Sequence, residues 1–249
     1  VTTLIAIAGK GGVGKTTFSA LLVRALVESG VRPVLAVDAD PNANLHLLLG
    51  FPPPQPLGTL REDLLAAESG GASKGEVLEA MVQQRVAEGD DVDLVTMGRG
   101  EGPGCYCYVN SLLRQSLSRL AGSYRAVVVD NEAGMEHLSR RNLRRIDHLV
   151  LVADPTPRGM GAARTIRDLA VQLGIPVGKT WLVRNRPFGK EDRTGVPEGE
   201  IPLLGEIPYD PSLPEWERGG RSFLDIPGSS PAAEAVGRSA REMLGGEKR

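Results

Sequence analysis

Short runs of uninterrupted apolar residues recur along the chain, separated by stretches in which apolar residues return every three to four positions. TLIAIA (3–8), PVLAVDAD (33–40), DVDLVTMG (91–98), AVVVDNEA (126–133), HLVLVAD (148–154) and TWLVRNR (180–186) are of the first kind. Rich in Val, Leu and Ile, they predict parallel strands covered on both faces. Segments 16–30, 109–121, 159–173 and 231–243 are of the second kind and predict helices, the first ending at Gly30. Strand and helix in alternation predict an α/β fold, a mostly parallel, doubly wound sheet flanked by helices. Two segments break the rhythm. FPPPQPLG (51–58) is too proline-rich for a helix or central strand, and GKEDRTGVPEGE (189–200) reads as a polar loop. Neither is long enough to separate independent domains, and no repeat is visible, so residues 1–249 are read as one domain.

Composition adds mostly exclusions. The 249 residues are 41% hydrophobic and 24% charged with a formal net charge of −2, an ordinary globular balance that offers no bulk field for nucleic acid or an anionic membrane. Arg140, Arg141, Arg144 and Arg145 cluster, but their spacing suits a solvated helix face better than a DNA site. No apolar run approaches the roughly 20 residues that span a bilayer. LIAIAG leads straight into a glycine-rich loop rather than reading as a signal peptide. The expectation is a cytoplasmic protein that binds neither nucleic acid nor membrane.

That loop carries the firmest chemistry. Gly9-Lys10-Gly11-Gly12-Val13-Gly14-Lys15-Thr16 fits G-x-x-x-x-G-K-[ST] between a strand and a helix, followed by Thr17. Its backbone amides are expected to curl around the phosphates of ATP, aided by the helix dipole. Lys15 then reaches the β- and γ-phosphates, and the Thr16 hydroxyl ligates Mg²⁺. GKGGVGKTT, with its early lysine, resembles the deviant Walker A loop of the ParA/MinD/ArsA/nitrogenase iron protein class of P-loop ATPases. The resemblance implies a homodimer in which Lys10 crosses the interface to the partner's nucleotide, where a second cation stabilises charge developing in phosphoryl transfer.

Asp38 and Asp40 close a strand in VDAD, on one side of its carboxyl end, where α/β sheets bind ligands. By the same resemblance Asp40 activates or orients the attacking water, and Asp38 supports the lysine and Mg²⁺ network. Asp130 ends AVVVD at the Walker B position, to hold Mg²⁺ through water. Capping of strand ends is the alternative for these aspartates. In the following switch region, often D-x-P-A-G in the wider family, Glu132 stands where proline is usual. Gly134 remains to offer an amide to the γ-phosphate. Asn185 and Pro208 resemble the family's adenine-contact positions, although both residue types also suit turns.

Cys105 and Cys107, the only cysteines, are separated by one residue. In extended chain their Cα atoms lie about 6.5–7 Å apart, at or beyond the limit of an unstrained disulfide. They project to one face there, and Gly102, Pro103 and Gly104 favour a non-helical approach. Two thiolates make half of a four-ligand metal site, which a symmetric dimer would complete; tetrahedral sulfur suits Zn²⁺ and a square-planar arrangement Ni²⁺. Ordinary buried cysteines are the alternative. His46 and His148 read as structural, and His137 falls in the switch region. Together GKGGVGKTT, VDADPNANL, GPGCYCYVN and VVVDNEAGMEHLSRR resemble the CooC-type ATPases from residue 3 to about 210. That resemblance implies an ATPase that delivers nickel to a client enzyme, carbon monoxide dehydrogenase or acetyl-CoA synthase, as its homodimer forms and dissociates. The competing expectation is a spatial organiser of MinD/ParA type. PAAEAVGRSAREMLGGEKR has few bulky apolar residues for the membrane helix that MinD-like work requires.

Overall fold

The computed structural model describes residues 1–60, 63, 74–98, 118–132, 145–186 and 201–245. Within them seven strands form one sheet: β1 (Thr3–Ala8), β2 (Val34–Ala39), β3 (Val92–Thr96), β4 (Ala126–Asn131), β5 (Ile146–Ala153), β6 (Val177–Asn185) and β7 (Leu203–Ile207). Their order is β3-β2-β4-β1-β5-β6-β7, and every neighbouring pair is parallel. The α/β expectation holds, and the sheet is parallel throughout.

Parallel strands leave both faces to be covered, and side chains alternate between them. Ile5, Ile7, Val128 and Val150 join one buried cluster; Leu4, Ala6, Val127 and Leu149 join the other. Over the first face lie α1 (Lys15–Glu28), α2 (Leu45–Leu49) and, near the end of the chain, a helix over Pro231–Met243. Over the second lie α3 (Lys74–Gln84) and α4 (Pro157–Gln172). A short α5 (Ser212–Arg218) precedes the Pro231–Met243 helix, which is therefore α6. Helix α1 buries residues all round, from Phe18 to Leu26, because it is sandwiched between the sheet and α6. Each large apolar side chain so enclosed contributes about 1.5–3 kcal/mol.

Helix starts follow local chemistry. The Thr156 and Ser230 side chains accept from the amides of Gly159 and Ala233, and a proline occupies the first turn after each. The sequence reading omits β7. Its LLGEI is broken by Gly205 and Glu206: a Cβ on Gly205 would stand 2.7 Å from Ser239 Oγ of α6, and Glu206 pairs with the buried Arg184 of β6. Helices α2, α3 and α5 are absent from that reading too. Of the helix expected over 109–121, residues 118–121 are described and helical. The polar loop 189–200 lies outside the described residues.

Candidate functional site

The carboxyl ends of the central strands converge on the glycine-rich loop. Gly9 leaves β1 pressed against β5: a Cβ there would stand 2.2 Å from the Val152 carbonyl oxygen, so only glycine fits. At the far end Gly14 takes φ +88°, a left-handed conformation, to launch α1. Lys15 opens the helix 7% exposed, and its Nζ donates to the Lys10 carbonyl oxygen at 3.4 Å. Lys10 itself is exposed, with Gly11 and Gly12 beside it; Val13 is buried, and Thr16 and Thr17 are half-buried.

Behind the loop, neighbouring strands set two carboxylates side by side. Asp38 of β2 and Asp130 of β4 are register partners, 0% and 1% exposed. Asp130 Oδ1 accepts from Ser19 Oγ at 3.0 Å. Burial pushes the Asp130 carboxyl up to about 6; hydrogen bonding to Thr16 pulls the other way, the charge of Asp38 adds to the rise, and Ser19 and Lys15 oppose it. These oxygen donors beside a lysine fit a hard cation such as Mg²⁺, which keeps several waters and needs few protein ligands. Asp38 is differently employed. Its Oδ1 accepts from the Asp40 amide at 3.1 Å and its Oδ2 from the Leu45 amide at 2.8 Å, and its carboxyl is raised by burial. Asp38 thus pins the loop that carries Asp40 and starts α2. Asp40, half-buried, closes a turn by accepting at Oδ1 from the Asn42 amide at 2.8 Å and from Asn42 Nδ2 at 3.0 Å.

Beside the loop an open cleft brings Gly14 and Thr17 together with Asn185 and Pro208. The two residues matched to adenine contacts therefore lie on one wall system although 23 positions separate them in sequence. Phe18, Leu21 and the buried Phe223 form apolar lining, Leu213, Pro214 and Glu217 of α5 a further side. Tyr209, 65% exposed, and Arg186 complete the rim. Sequence reasoning missed Arg186, Tyr209 and Phe223; the first two directly follow Asn185 and Pro208, which was the available signal, and Phe223 carried none. His46 Nδ1 lies 2.7 Å from the Ala43 carbonyl oxygen, and Trp181 Nε1 donates to His148 Nδ1 at 3.0 Å, so both rings are engaged by neighbours within the fold. Cys105, Cys107, Gly134, His137 and Arg140, Arg141 and Arg144 lie outside the described residues. Among the described residues no group of three His, Cys, Asp or Glu side chains is placed to hold a metal ion.

Residues 4–223 match the CobQ/CobB/MinD/ParA nucleotide binding domain. The chain belongs to this CobQ/CobB/MinD/ParA family. An uncharacterised ATP-binding protein of Methanocaldococcus jannaschii is 34% identical over 249 residues, 97% of this chain and 98% of that one. The carbon monoxide dehydrogenase accessory protein CooC of Rhodospirillum rubrum is 33% identical over 259 residues, 97% of each chain. In fold, the family member MinD of Pyrococcus horikoshii, whose structure holds Mg-ADP, superposes with a TM-score of 0.72 at 24% identity and full coverage of both chains. MinD of Pyrococcus furiosus does so with a TM-score of 0.71 at 25% identity, over 97% of this chain and 98% of that one. Membership makes the chain a P-loop nucleotide-binding domain. No helix among the described residues is long and apolar enough to cross a membrane.

Proposed function

We propose that this family member hydrolyses ATP and, as a homodimer, uses the cycle to deliver nickel during maturation of carbon monoxide dehydrogenase or a related enzyme. The observation that carries the hydrolytic half is the cluster of Lys15, Thr16, Ser19 and Asp130 joined to the cleft at Gly14 and Thr17. Loop amides of residues 9–17 and Lys15 bind the phosphates, while the cleft takes the adenine beside Asn185 and Pro208. Thr16 and Asp130 hold Mg²⁺, Asp130 through water, and the ion neutralises phosphate charge. Asp38 supports them by fixing the Asp40 loop, and Asp40 orients the attacking water. Lys10, exposed on the loop, serves the partner's nucleotide, and Gly134 supplies an amide to the γ-phosphate. The nickel half is supported by the likeness to CooC across nearly the whole chain, and by Cys105 and Cys107, which pair with the partner's to hold Ni²⁺ or Zn²⁺ as cargo.

A spatial organiser of MinD/ParA type is the second reading, favoured by the fold. Against it, α6 packs its apolar face, including Val236, Ala240 and Met243, into the core over α1 and β7, leaving that face unavailable to a lipid surface.

Both halves are tested on purified full chain. Lys15→Ala and Asp40→Ala are expected to lower ATP turnover by about 10²–10³-fold. Lys10→Ala is expected also to lose the ATP-stabilised dimer on gel filtration, and normal dimerisation would remove its cross-interface role. Metal analysis of dimer from wild type and Cys105→Ala/Cys107→Ala decides the cargo: equal Ni²⁺ or Zn²⁺ stoichiometry would falsify the cysteine site. ATP-dependent co-sedimentation with vesicles or DNA would favour the organiser instead.

A further inference from the structure

The cleft and the phosphate loop meet at one side chain. Asn185, at the carboxyl end of β6 and 9% exposed, donates from Nδ2 to the Val13 carbonyl oxygen at 2.7 Å, a buried bond between residues 172 positions apart. The contact is close-packed, since a Cβ on Gly14 would stand 2.4 Å from the same Nδ2. Gly14, the N-cap of α1, has no side chain to cap the first amides, and Lys15 Nζ reaches back to the Lys10 carbonyl oxygen rather than to the Val13–Gly14 peptide. From outside, the loop is held by β5 against Gly9 and by Asn185 against Val13, and only Asn185 bonds the Val13 carbonyl among the described side chains.

A peptide unit is planar, with its carbonyl and the following N–H pointing in opposite directions. Anchoring the Val13 oxygen on Asn185 therefore aims the Gly14 amide the other way, away from the Asn185 side chain. We propose that Asn185 is a positioning residue for the phosphate loop, presetting the Val13–Gly14 peptide for phosphate before any base is recognised. The proposal rests on the ATP reading above and deepens it. A residue matched to adenine contact does its larger work on the phosphates.

Tripolyphosphate with Mg²⁺ is the probe, because it carries the phosphates without base or ribose. Affinities for Mg-tripolyphosphate and Mg-ATP are measured by calorimetry on wild type, Asn185→Leu and Tyr209→Ala, with folding checked by thermal melts. Removing a buried bond from the loop is expected to weaken tripolyphosphate about tenfold in Asn185→Leu, and ATP by at least that factor. Tyr209→Ala, on the rim and clear of the loop, is expected to weaken ATP and leave tripolyphosphate unchanged. If Asn185→Leu binds tripolyphosphate like wild type while losing ATP, Asn185 is a base contact only and the proposal fails. Should Asn185→Leu not fold, Asn185→Ser, whose hydroxyl is too short to span the gap, is held to the same comparison. Wild type that binds neither ligand would overturn the nucleotide reading itself, an outcome distinct from selective loss in the Asn185 variants.

Discussion

At Asp130 a carboxylate sits in the core, and the proposed function asks it to serve a cation as well. Burial disfavours its charge, and the neighbouring Asp38 charge adds to the cost, so its carboxyl rises from 3.8 to about 6. A carboxyl whose pKa rises on folding contributes most when protonated, below the unfolded value, and loses that contribution as pH climbs through the folded one. Asp130→Asn removes the charge without changing the shape. The variant is expected to gain stability relative to wild type as pH rises from about 4 to about 6, reaching on the order of 1–3 kcal/mol above that window. Paired thermal melts across pH measure the gap; a gap that does not depend on pH would contradict the burial account. The same substitution is expected to abolish Mg²⁺-dependent ATP turnover, a more stable and less active protein from one atom's exchange.

Among the elements, Asp210 joins α6 to α5, a helix that the sequence pattern does not show. Its carboxylate accepts from the Ser212 amide at 2.9 Å and Ser212 Oγ at 2.6 Å at the start of α5, and from Ser230 Oγ at 2.6 Å and the Ala232 amide at 3.3 Å at the start of α6. Burial raises this carboxyl, but these four bonds outweigh it and hold it below the usual carboxylate range. Asp210→Ala is expected to cost about 2–4 kcal/mol, read by denaturant unfolding at neutral pH. Because the folded pKa is depressed, that difference is full above about pH 5 and shrinks as acid protonates the wild-type carboxylate. A cost that persists unchanged at pH 2–3 would mean that packing, not charge, is lost. What sequence pattern could show follows the same division. Strands with unbroken apolar runs, the phosphate loop, and Asp38, Asp40 and Asp130 at strand ends announce themselves, because each is local. β7 does not, since Gly205 and Glu206 answer to α6 and Arg184 across the fold. The Asn185–Val13 bond and the bracing bonds of Asp38 are likewise set by partners distant in the chain or in the turn beyond.

Taken as a whole, the molecule has its chemistry at the carboxyl edge of the sheet, and its two tryptophans report on different regions of it. Trp216 lies on α5, which lines the cleft, with Nε1 donating to the Ser222 carbonyl oxygen at 2.8 Å and the Arg221 guanidinium 3.7 Å from its ring centroid. Trp181 sits on β6 away from the loop, stacked on His148 at 6.3 Å and bonded to its Nδ1. The two indoles therefore sit in different surroundings, one beside a guanidinium at the cleft and one beside an imidazole on the sheet, so each serves as a label-free probe of its own region. Adding Mg-ATP is expected to change the emission of a Trp181→Phe variant, in which only Trp216 shines, and to leave Trp216→Phe unaltered. Acid is expected to do the reverse, because a protonated imidazole quenches an adjacent indole; His148, held by burial below its ordinary range, delays that quenching to lower pH than a free histidine would. Nucleotide and protons would thus be read as separate colours of response from one small protein in one cuvette.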